Sequence, residues 1–101
     1  MSEYVRLILN FPPSLESSVT EVLSDDPSLP GFTLLHAEGH SSNFAHASAS
    51  EQVRGRIERR VLWIVIENDR LQEVLDLLRQ HVASHDVRWW TEPVSAFGRL
   101  A

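Results

Sequence analysis

His36, Glu38 and His40 stand at i, i+2 and i+4, the spacing at which an unbroken β-strand points alternate side chains to one face. Two neutral imidazoles and a carboxylate on one face suit Zn, Cu or Ni, and His46, six residues beyond His40, can fold back as a further ligand. Solvated or structural histidines near a strand end have the same spacing, and Gly39 is where a bulge would turn His40 away. Farther on come Arg54, Gly55, Arg56, Arg59 and Arg60. Every one of the nine basic residues is Arg and none is Lys. That excludes a Schiff-base or phosphate-loop lysine and leaves planar, permanently charged forks. Around Gly55, where backbone can approach closely, such forks suit a phosphate or carboxylate. The competing arrangement is a solvated ribbon in which these arginines pair with Glu51, Glu58 and Glu67.

Other candidates are weaker in chemistry. His81 and His85 are four apart, side by side if a helix reaches that far, but cations near a helix carboxyl end are ordinary caps. Trp89-Trp90 sends one indole to each face of a strand, as a core anchor plus a subunit contact or as a stacking platform. The chain contains no Cys, no Gly-x-Ser-x-Gly and no His-Glu-x-x-His, so nothing in it proposes an enzyme. The enzymatic alternative is a dimeric ferredoxin-like monooxygenase or isomerase with His36 or His85 as base in a pocket lined by Trp63 and Trp90.

The elements that must position these residues follow from periodicity. Tyr4–Phe11 alternates as a first strand. Pro12-Pro13 ends it, and Ser14–Asp25 reads as a helix with Leu15, Val19, Val22 and Leu23 on one stripe. Phe32 to about Gly39 predicts a second strand, and Arg60–Glu67 a third, apolar on both faces. Asn68-Asp69 reads as the cap of a second helix running to about Ser84, with Leu71, Val74, Leu75, Leu78 and Val82 as its stripe. Val87–Thr91 predicts a fourth strand, and a tail with Val94, Phe97 and Leu100 follows. The order βαββαβ is that of an α+β, ferredoxin-like sandwich with both helices on one sheet face. The other face, and the doubly apolar third strand, call for further copies of the chain.

A length of 101 residues with 43% apolar content fits one domain, 1–101, with a modest core that oligomerisation would supplement. The net charge of -5 argues against nucleic acid as a partner. An RNA-binding module would also need basic and stacking residues where the third strand has Val61-Leu62-Trp63-Ile64-Val65-Ile66. The start, Met1-Ser2-Glu3-Tyr4-Val5-Arg6, has no export pattern and the chain no membrane-spanning run, so a soluble cytoplasmic protein, not itself membrane-inserted, is expected.

Asn10-Phe11-Pro12-Pro13-Ser14-Leu15-Glu16, Glu38-Gly39-His40, Glu51-Gln52-Val53-Arg54-Gly55-Arg56 and Pro93-Val94-x-x-Phe97-Gly98-Arg99-Leu100 resemble, nearly end to end, an uncharacterised family of the PII-like superfamily, which includes nitrogen-regulatory PII and CutA-like trimers. The resemblance implies a homotrimer and a long T-loop between strands two and three, here about 39–59, with ligands bound in the inter-subunit cleft at the loop base. Arg54-Gly55 matches the Arg-Gly at that base. The resemblance stops short of the glycine- and lysine-containing phosphate loop after the second helix, where this chain has Ala83-Ser84-His85-Asp86. It also links the family to heavy-metal efflux systems. The expected function is therefore a non-enzymatic, trimeric signalling protein binding a small ligand. That ligand is a divalent or copper ion at His36, Glu38, His40 and His46, or a nucleotide or other anionic metabolite at Arg54, Gly55 and Arg56. Its expected partner is a membrane transporter or other target reached through the T-loop.

Overall fold

The computed structural model describes residues 3–40 and 56–101. Strands β1 (Tyr4–Phe11), β2 (Thr33–Gly39), β3 (Ile57–Glu67) and β4 (Arg88–Val94) and helices α1 (Glu16–Ser24) and α2 (Leu71–His81) follow the βαββαβ order. They form one antiparallel sheet in the order β2-β3-β1-β4. This is the ferredoxin-like α+β arrangement expected from the pattern.

Register explains the core. Leu7 lies opposite Ile64, Leu9 opposite Leu62 and Leu34 opposite Leu62, so one pleat face carries apolar side chains across three strands. Val5, Leu7, Leu9, Phe11, Leu62, Ile64 and Ile66 of that face are buried with Val19 and Leu23 of α1 and Val74, Leu75 and Leu78 of α2. The helical stripes are those read from the 3.6-residue period.

The ends of the elements depart from the sequence expectation for local reasons. A 3-10 turn at Pro13–Leu15 precedes α1, where the missing proline N–H removes no ladder bond. Another at Asn68–Arg70 precedes α2. Neither Asn68 nor Asp69 caps the helix by its side chain. Instead the Asn68 N–H donates to the Glu3 carbonyl at 2.9 Å, prolonging the β1–β3 ladder. Helix α2 stops at His81, not Ser84, because Val82 leaves helical space (φ -138°, ψ 49°) while staying buried. Strand β3 begins at Ile57, so residues 57–59, assigned to the loop, are strand paired with β2. Strand β4 runs through Pro93 to Val94, which an edge strand tolerates because one side of its backbone needs no donor.

On the face away from the helices, Ile8 is buried between its register partners Trp63 and Trp90. Arg6 pairs across the strands with Glu92 (Nε to Oε1 3.0 Å) and lies 5.1 Å from the Trp63 ring centre. Phe97 of the tail meets Tyr4 edge-on at 4.6 Å. Leu35 and Trp90 remain exposed there, and Trp89 is 44% exposed on the helix side, so neither indole is a buried core anchor.

Asp26 accepts hydrogen bonds from the Ser28 hydroxyl (2.6 Å) and N–H (2.9 Å), closing the turn after α1. The Ser28 hydroxyl first, then its N–H and the Arg70 charge, hold this carboxyl below its usual 3.8. A depressed carboxylate contributes stability above its unfolded pKa and loses it as pH falls through the folded value. Asp26→Asn should therefore lower the urea midpoint at neutral pH, the gap from wild type closing well below 3.8. Truncating Leu62, which is fully buried, to Ala should cost about 2–5 kcal/mol in the same urea titrations.

Candidate functional site

Past Leu34, the helix-side positions of β2 are His36 and Glu38, and those of β3 are Arg60 and Glu58, register partners in turn. Here the sheet extends beyond its apolar core, and the pleat that buries Leu34 puts charged groups on the same side. His36, Ala37, Glu38, Arg56, Ile57, Glu58 and Arg60 line a depression of about 310 Å³. Arg60 is held from α1: its Nε donates to Glu16 Oε1 at 2.7 Å.

At the outer end, Glu38 has a neighbour on each oxygen. Arg56 Nη1 donates to Oε1 at 2.6 Å, and His40 Nε2 lies 3.4 Å from Oε2. Two ligands of one tetrahedral zinc ion, each about 2.0–2.2 Å from the metal, are about 3.3 Å apart. The Glu38–His40 separation fits that donor set. His36 shares the depression, but among the described residues no three His, Cys, Asp or Glu side chains are gathered closely enough to hold a metal. His46, Arg54 and Gly55 lie outside the described residues.

Gly39 does not bulge. It pairs with Ile57 in the same unbroken register that pairs Thr33 with Trp63. The glycine is needed for space: a Cβ would lie 3.0 Å from Arg59 Cγ and 3.2 Å from Ile57 Cγ1. Arg59 runs along the helix-distal face, where its Nε donates to Asn10 Oδ1 at 2.7 Å and its Nη2 to the Asp86 carbonyl at 2.8 Å. It thereby ties β3 to β1 and to the segment before β4. Burial pulls its pKa below the ordinary arginine value. Composition gave no sign of this role, because Asn10 and Asp86 are distant in sequence.

Arg56 pairs with Glu38 and Arg60 with Glu16, and Glu67, seven strand residues beyond Arg60 and roughly 23 Å away, is too far to join them, while Glu51 lies outside the described residues. His85 is outside α2, and His81 Nδ1, 3.0 Å from the Leu77 carbonyl, donates to its own helix. His36 is on the helix side of the pleat and Trp63 and Trp90 on the other, so within one chain His36 and those indoles do not line a common pocket.

Gly39→Ala should destabilise by about 1 kcal/mol in urea titrations through the crowded Arg59 stem. In an Arg59→Ala background the penalty should shrink, leaving the Ile57 Cγ1 contact at 3.2 Å to oppose the unfolded-state entropy gain.

A family model for a protein of unknown function (DUF3240) matches residues 1–101. No curated protein matches the chain. Among solved structures, a DUF3240 family protein from Shewanella baltica OS155 is similar at a TM-score of 0.81 and 21% identity, with 100% of each chain covered. The Arabidopsis thaliana PII protein bound to citrate is similar at a TM-score of 0.75 and 16% identity, over 99% of this chain and 82% of that one. At these identities the structural likeness is one of fold.

Proposed function

This chain belongs to the DUF3240 family and has a PII-like fold, and from that premise we propose that it is a regulatory protein whose ligand is a transition-metal ion. The ion binds at the base of the β2–β3 connection. Glu38 and His40 supply the first donors, and His36 and His46 complete the set. The observation carrying this reading is the 3.4 Å between Glu38 Oε2 and His40 Nε2, the spacing of two donors on one ion. Carboxylate and neutral imidazole suit zinc, nickel or copper. Because the donors flank the root of the connection, occupancy alters what that connection offers a target protein, such as a membrane transporter.

The working unit in this proposal is a homotrimer. Leu35, Trp90 and the half-buried Val61, Trp63 and Val65 form the apolar, helix-distal face that copies would cover. A second reading, an anionic metabolite, is supported by Arg56 and Arg60 lining the same depression and by the citrate bound to the Arabidopsis PII protein.

Chelator-stripped protein titrated with Zn, Cu and Ni by calorimetry, with mass read by light scattering, should bind near one ion per subunit on a trimer. His40→Ala and Glu38→Gln should each weaken binding by at least about tenfold with the mass unchanged. Absence of metal binding, together with citrate binding that Arg56→Gln removes, would replace the metal by the anion.

A further inference from the structure

We infer that Arg56 is the resident counter-cation of Glu38 and that a divalent ion enters by displacing it, an inference resting on the metal reading above. Glu38 is shared: Oε1 accepts from Arg56 at 2.6 Å, and Oε2 faces His40 at 3.4 Å. An ion bound to Oε2 and the imidazole would stand about 5 Å from the Arg56 guanidinium, with only the carboxylate between two positive charges. An ion taking both carboxylate oxygens would occupy the guanidinium's place outright. The two cations therefore compete for one carboxylate.

Arg56 cannot leave by losing its proton, because arginine stays charged. It has to move, and its side chain, 37% exposed, is less buried than that of Arg60 at 15%. The competition has two consequences. It makes the site selective, since a monovalent ion gains no charge over the guanidinium it replaces, whereas a divalent ion does. It also converts occupancy into a structural change: Glu38 is the penultimate residue of β2 and Arg56 immediately precedes β3, so the pair is an ionic staple between the two strand ends. Arrival of the ion opens it.

The sign of one substitution separates this from an arginine that recruits an anion. Zinc titrations by calorimetry of the stripped full chain should show Arg56→Gln binding about five- to tenfold more tightly than wild type. Glu38→Gln should bind weakly in either background, and unchanged melting temperatures should show that the variants fold. Tighter binding by Arg56→Gln, including the case in which it alone binds, supports displacement. Equal or weaker binding by Arg56→Gln beside a binding wild type overturns displacement and leaves the metal reading intact. Failure of both proteins to bind zinc overturns both.

Discussion

Leu62 lies opposite Leu9 on one side and Leu34 on the other and has no exposed surface. Because side chains alternate along a strand, a slip of one residue at either pairing would turn a leucine out of the core. Burial of this leucine row therefore fixes the register of β2, β3 and β1 together. Two residues on from Leu62, the same pleat sends Arg60 to the helix side opposite His36, and one residue on from Arg60 it sends Arg59 to the other. The placement of the charged groups follows from the apolar ones.

The two faces consequently do different work. On the helix side the sheet outruns its core, and polar groups gather where α1 reaches only as far as the Glu16–Arg60 pair. On the distal side Ile8 is sheltered by two indoles, and the Arg6–Glu92 pair beside Trp63 adds charge at one end of an apolar band. Arg59 joins these regions, since it leaves β3 beside the site residues and ends on the segment before β4. Its stem fits because the two β2 residues beside it on that face are Ala37 and Gly39. Small residues here are a packing requirement of a neighbouring arginine, not a sign of a bulge.

Much of this was legible in the chain. The first strand, both helical stripes and the opposite faces of Trp89 and Trp90 follow from periods of 2 and 3.6, which report burial directly. Element ends were less so. Asn68 has the composition of a cap, yet its backbone continues a ladder to Glu3, and Pro93 falls in the tail expected after Thr91, yet it sits in an edge strand. In both cases a partner remote in sequence decided.

The sequence by itself determined the βαββαβ order, the sheet with helices on one face, and the shared face of His36 and Glu38, because each depends on alternation within a single segment. Only the tertiary structure decided which charges meet: Arg56 with Glu38, Arg60 with Glu16, and Arg59 with Asn10 and the Asp86 carbonyl. Long arginine side chains reach neighbouring strands and helices, and those neighbours are set by strand order and register, which no local pattern contains.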